Sequence, residues 1–313
     1  MKMKRIITSV LAGAVALSVM AVPVMAQAKT VRITENKSYT YYQDKGWGLD
    51  GVTKNTYNSD GTTKTVKNTR YYEGEVTDWN TRAYSYDKKK RLVKVVGKNL
   101  DSTQDTVTKY SYGKNKETTK FYDYKGKYSG KDVSTYKYNG KRLKSVTSKY
   151  YDEKNKVLSK HVLTYSSAGD IASAKNYDEK GELYSQVKYS YKKHKLTKIL
   201  SIQYVNGKAT SKTKTTYTYK NGYTIMKDYT ADGVLSYEQK YKTDKAGNSI
   251  IRYSKVYSAD SETGKLTAFK TTYKNTLYTS GDGKGCLKES VSSYEYDGQT
   301  YKSGKETYKY KAF

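Results

Sequence analysis

Proline, cysteine and histidine are nearly missing from this sequence, and each gap removes a class of explanation. The single proline, Pro23, falls in an N-terminal leader, so the rest of the chain can donate every backbone N–H to a sheet ladder. One cysteine, Cys286, excludes an intrachain disulfide framework and a cysteine-based zinc site. The two histidines, His161 and His194, stand beside no motif that would make either a base for Cys286 or for a serine. His194 lies in a lysine-rich turn and His161 alternates with Val157, Leu163 and Tyr165 as a sheet-face residue would. No nucleophile, acid pair or metal cluster can be assembled, so the chain reads as no enzyme, with no catalytic or metal residues and no cofactor. Asp282 and the Asp-x-x-Gly turns lack the EF-hand pattern, and turn chemistry accounts for them. Hydrophobic residues make up 35%, against roughly 45–50% in ordinary globular domains. No window beyond the leader favours a helical period.

The leader itself has the form of a secretory signal peptide over residues 1–28. Lys2, Lys4 and Arg5 precede an uncharged apolar run from Ile6 to Met20, and small residues allow cleavage after Ala26 or Ala28. No later segment is long and apolar enough for a transmembrane span, so a secreted, extracellular or envelope-associated product is expected.

What the chain has in quantity is tyrosine and lysine. There are 38 tyrosines, and the formal net charge is +29. The tyrosines recur in order. Tyr-x-Tyr pairs end at Tyr86, Tyr112, Tyr138, Tyr191 and Tyr219, with Leu163/Tyr165 in the vacant slot, so successive second members lie 26, 26, 27, 26 and 28 residues apart. Halfway between them, Tyr122-Asp123, Tyr151-Asp152 and Tyr177-Asp178 open turns, giving a strand plus a turn of about 13 residues as the unit. Asn-Gly and Asp-Gly pairs supply the positive φ of tight hairpins, and an aliphatic residue such as Leu92, Leu143 or Leu183 re-enters the next strand. Leu183, Val187, Tyr189 and Tyr191 share one parity, so a strand puts all of them on one face.

The fold class expected is all-β: a long antiparallel meander of about 20 strands, as a twisted and curled open sheet or partial barrel. Residues 29–83 read as atypical capping hairpins, with Trp47 and Trp79 closing the open end. Residues 84–257 form the regular repeats and 258–313 degenerate hairpins, with Ser258 to Lys265 a longer loop and Tyr308-Lys309-Tyr310 on an edge strand whose lysines discourage pairing.

The units Tyr177-Asp178-Glu179-Lys180-Gly181-Glu182-Leu183, Tyr86-Asp87 with Arg91-Leu92, Tyr138-Asn139-Gly140-Lys141-Arg142-Leu143 and Tyr296-Asp297-Gly298 resemble those of the YD-repeat (Rhs-type) proteins. The resemblance spans roughly Tyr71 to Tyr301. It implies repeated β-hairpins in secreted or surface proteins, with carbohydrate binding in some members. This chain is far shorter and more basic than the large members, which counts against an encapsulating shell.

A basic, tyrosine-studded surface attracts polyanions, and exposed rings stack on sugars or bases. The expected function is therefore non-catalytic binding of an anionic cell-wall polymer or acidic glycan. The candidate contacts are Tyr86, Tyr112, Tyr138, Tyr191 and Tyr219 with Lys141, Arg142, Lys192, Lys193 and Lys195. The alternative is a purely structural protein whose sheets join edge to edge.

Overall fold

The computed structural model describes residues 31–244, 247–257, 267–296 and 299–313. The leader (1–28), the 258–265 loop and Asp297-Gly298 of the last Tyr-Asp turn lie outside them. Twenty strands occur among the described residues. They are β1 (Val31–Tyr42), β2 (Gly46–Tyr57), β3 (Thr63–Tyr72), β4 (Glu75–Tyr86), β5 (Leu92–Asn99), β6 (Thr106–Gly113) and β7 (Lys116–Tyr122). Next come β8 (Tyr128–Asn139), β9 (Arg142–Tyr151), β10 (Val157–Tyr165), β11 (Ile171–Tyr177), β12 (Leu183–Lys192), β13 (Lys195–Val205) and β14 (Lys208–Lys220). The chain ends with β15 (Tyr223–Tyr229), β16 (Leu235–Thr243), β17 (Ser249–Val256), β18 (Thr267–Leu277), β19 (Leu287–Tyr296) and β20 (Gln299–Ala312).

The turns set the connectivity. Asp178 Oδ1 accepts from the N–H groups of Lys180 (3.0 Å) and Glu182 (2.8 Å), while Gly181 sits at φ +84°. That carboxylate closes the turn, and glycine meets the left-handed backbone without strain. Asp87, Asp123 and Asp152 repeat the arrangement. At Asn206-Gly207 and Asn221-Gly222 both residues have positive φ, as two-residue hairpin turns require. Each strand is thus antiparallel to the one before it.

More than half of the turns carry a β-bulge that pairs the tyrosine before the turn with a residue re-entering after it. Tyr86 faces Leu92, Tyr138 faces Leu143, Tyr177 faces Leu183 and Tyr191 faces Leu196, each across a register shift. A bulge adds local twist and bends its strand, and repeated around the meander it curls the sheet until its ends meet. β1 pairs with β20, Val31 opposite Ala312 through Thr40 opposite Gly304. The meander is a closed barrel.

Closure corrects two expectations. Tyr308, Lys309 and Tyr310 lie on no edge, because β20 pairs with β19 on one side and with β1 on the other. Trp47 and Trp79 have no open end to cap. Trp47 packs edge-on against Tyr41 with ring centroids 5.1 Å apart, and Trp79 pairs with Thr69 inside the wall. The bulges correct a third. An extra residue, Tyr184, separates Leu183, opposite Tyr177, from Ser185, opposite Asn176, so Leu183 falls on the other face from Val187.

The wall is one layer thick. Each strand packs only against its two ladder neighbours among the described residues. The buried apolar side chains there are Val52, Val146, Ala174 and Ile202. Stability therefore rests on the ladder and on same-face neighbours. Thr53 Oγ1 donates to Asn68 Oδ1 at 2.8 Å, and Asn68 Nδ2 donates to Asn80 Oδ1 at 2.9 Å, joining three strands. His161 bonds Asn176, whose Nδ2 donates to Ser185 Oγ at 2.8 Å.

Candidate functional site

The ladder register sorts the side chains into two unlike faces. In β12, Tyr189 and Tyr191 alternate with Lys188 and Lys192. Followed from partner to partner around the ring, the lysines at paired positions in strand interiors share one face. Lys94, Lys109, Lys120 and Lys131 lie directly opposite one another across β5, β6, β7 and β8. Lys54 faces Lys67, and Lys149 faces Lys160, on the same side. The opposite face carries the Tyr-x-Tyr pairs with Ser, Thr and Asn, as in the row Tyr110, Thr119, Asp132, Tyr150.

Carboxylates compensate the lysine face on one side of the ring. Lys227–Glu238 (3.0 Å), Lys270–Glu295 (2.9 Å) and Lys309–Glu35 (2.8 Å) are ion pairs across β15–β16, β18–β19 and β20–β1. From β5 to β15 no carboxylate occupies a paired strand position on that face among the described residues. Lysines there lie over the single tyrosines that precede turns. Lys160 Nζ is 3.7 Å from the Tyr177 ring centroid, Lys214 4.2 Å from Tyr229, Lys109 4.7 Å from Tyr122 and Lys131 4.9 Å from Tyr151. Such contacts are worth about 0.5–1 kcal/mol each when exposed.

The residues named from sequence gather at one rim, where the even-numbered strands end. There Tyr86, Tyr112, Tyr138, Tyr191 and Tyr219 lie on the face opposite the lysine rows. Tyr112 and Tyr219 are tied to backbone carbonyls of a neighbouring strand, their hydroxyls donating to Leu92 O (2.8 Å) and Leu196 O (2.9 Å). Arg91 covers the Tyr112 ring at 4.6 Å and Lys195 the Tyr219 ring at 5.1 Å. Burial, helped by the Glu117 charge, pushes the Tyr112 hydroxyl up to about 12. Burial also raises Tyr86 and Tyr191. Tyr138 is open to solvent. Lys141, Lys192, Lys193 and Lys195 are exposed on or beside the turns, and Arg142 Nη1 donates to Ser167 O at 2.6 Å. Lys192 faces Lys195 directly.

The residues named from sequence thus share one rim; lysine stems over tyrosine rings are expected of a sheet this rich in both, and register decides which pairs form. A plain reflection through the Gly140-Lys141 turn puts Lys131 opposite Tyr150; the extra residue Lys144 at the bulge moves its partner to Tyr151, so the pair is set by register.

The opposite face holds one perturbed acid. Burial, and secondarily the Glu117 charge, raise Asp132 to about 6, while His161 and the Val133 N–H pull it down. Its Oδ1 is buried without a hydrogen-bond partner. Tyr136 donates to Glu117 at 3.3 Å beside it. His194 stands apart in its turn, 3.1 Å from Asp170. Asp282 accepts from Ala312 N–H at 3.0 Å, and Cys286 is free and half-buried. Among the described residues no group of three or more His, Cys, Asp or Glu side chains could hold a metal ion.

No protein-family model matches the chain, and comparison with curated proteins gives no match. Among solved structures the chain is similar to a porin-like protein from Bacteroides uniformis, at TM-score 0.35 and 13% identity over 91% of this chain and 99% of that one. A porin-like protein from Bacteroides vulgatus gives 0.26 and 12% over 57% and 95%. TcdB2-TccC3-Cdc42 gives 0.25 and 12% over 87% of this chain, which spans only 19% of that one. At these values the likenesses lend nothing to the argument, and the architecture rests on the ladder itself.

Proposed function

We propose that this chain is a secreted, non-catalytic protein that binds an anionic polymer, a cell-wall phosphate polymer or an acidic polysaccharide, at the cell envelope or matrix. The observation that carries this reading is the one-sided array of lysines on the wall, where from β6 to β14 no carboxylate stands at a paired strand position on the lysine face among the described residues. A surface of one sign concentrates polyanions and releases their counterions on contact. Repetition along the meander supplies many weak contacts to one long ligand.

No helix among the described residues is long and apolar enough to cross a membrane. A barrel that crosses with strands needs an outward apolar band about 25 Å tall. Here one face alternates lysine into every such band, and the other face interrupts it with Asn68, Asn80, Asp132, Ser148 and Asn176. Both faces suit water. Edge-to-edge assembly has little support, since the closed ring leaves no strand unpaired on either side.

The test is retention of purified protein on isolated cell walls and on immobilised acidic glycans, eluted with stepped salt. Binding at low ionic strength with release as salt rises is expected. Flow-through at the lowest salt on every anionic matrix overturns the reading.

A further inference from the structure

The row Lys94, Lys109, Lys120, Lys131 sets four like charges directly opposite one another on four consecutive strands. Neighbouring strands lie about 4.7–4.9 Å apart, and like charges set directly opposite destabilise a sheet. None of the four forms an ion pair among the described residues. Beside the row a cavity of about 270 Å³ is lined by Lys120, Tyr122, Tyr128, Lys131 and Asn155. The Tyr122 and Tyr128 rings meet edge to face with centroids 5.9 Å apart. Lys131 Nζ donates to Asn155 Oδ1 at 2.6 Å, which fixes the ammonium at the cavity's margin.

We infer that this patch on β5–β9 is a subsite for an acidic polysaccharide bearing about one carboxylate per sugar ring, a polyuronate. The carboxylates lie along the lysine row and one ring sits against the Tyr122–Tyr128 pair. The register decides between ligand chemistries. Ring and ammonium are presented together, which an open-chain polyol phosphate, having charge but no ring, leaves half used. Lysine is a point charge without arginine's planar fork, so each ammonium takes one carboxylate oxygen without fixing the sugar's orientation, as a repeating polymer needs. This inference rests on the anionic-polymer reading above and narrows it.

The experiment is a titration of the full mature chain with polygalacturonate and, separately, with a poly(glycerol phosphate), at fixed low salt. The double variant K94Q/K120Q is compared with K198Q/K212Q, which removes the same charge from the same face farther round the ring. K94Q/K120Q relieves like-charge repulsion and disturbs no cation–ring pair, so it folds at least as well as the parent. We expect it to weaken polygalacturonate binding about tenfold or more, and K198Q/K212Q to weaken it less than about threefold. Equal losses in the two variants overturn the subsite while leaving the polymer reading intact. Tighter binding of the poly(glycerol phosphate) overturns the choice of occupant. Binding of neither polymer overturns both.

Discussion

Replacing Asp132 by asparagine tests whether its carboxyl is desolvated where it sits on the tyrosine-pair face. Asp132 lies opposite Thr119 and Tyr150, with Glu117 and His161 acting on it from β7 and β10. Its carboxyl is raised from 3.8 to about 6, with burial the first cause. At about 1.4 kcal/mol per pH unit that shift corresponds to about 3 kcal/mol; the side chain keeps partial contact with water, which reduces the expected effect to about 1.5 kcal/mol. Between the two values the folded chain binds the proton and the unfolded chain does not. Wild-type stability therefore falls as pH rises through this window, and the loss is complete above the folded value. Asp132→Asn has no such loss. In urea melts followed by far-UV circular dichroism, its stability relative to wild type should rise by about 1.5 kcal/mol from about pH 4 to about pH 7.5. Taking the difference between two pH values cancels any pH-independent effect of the amide. Adding Glu117→Gln to wild type should shrink the wild-type slope, because one of the two raising causes is gone. A difference between Asp132→Asn and wild type that stays flat with pH refutes the assignment.

Three further substitutions probe the wall. Gly130 has φ +143° and a Cβ there would run into the Tyr151 carbonyl oxygen, so Gly130→Ala should cost about 2–3 kcal/mol in a urea melt. Tyr112→Phe removes the bond to Leu92 O and should cost about 1 kcal/mol; the same change at solvent-open Tyr138 should fall within about 0.5 kcal/mol of wild type. Lys120→Gln takes the charge from between Lys109 and Lys131 and should raise the melting temperature at low salt, with the gain disappearing at about 1 M salt.

The parts legible in the sequence were those fixed locally. Strand alternation, the Asp-closed turns and the tyrosine spacing all arise within about 13 residues, and the meander followed from them. Closure was not legible, because the β1–β20 pairing joins opposite ends of the chain and the bulges that curl the sheet leave no composition signature. Facial assignment failed for the same reason. Parity in the sequence put Leu183 with Val187, but the extra residue Tyr184 moves Leu183 to the lysine face. Tyrosine suits either face, so composition could not tell the Tyr-x-Tyr pairs from the single tyrosines of the Asp turns. The candidate rim was legible in its charges. The wall contacts became visible only when register placed Lys131 beside Tyr151.

That sorting gives the charge of the chain a location. With only four apolar side chains buried among the described residues, the barrel cannot draw on a core, and each lysine must be tolerated by its neighbours on the sheet. From β15 round to β1 the tolerance comes from glutamates held at 2.8–3.0 Å as well as from rings, as at Lys240 and Lys305. From β6 to β14 it comes largely from tyrosine rings and water, both weaker partners for an ammonium than a carboxylate. A surface meant only to stay soluble would gain from spreading its compensation evenly, since exposed pairs cost nothing in solubility and like charges in register cost stability. Concentrating lysine opposite lysine over four consecutive strands leaves a repulsion that a bound polyanion removes, and whatever binds the folded wall in preference to the unfolded chain stabilises it in turn. On the proposed reading, the same register that weakens the empty wall would favour a ligand of repeating negative charge.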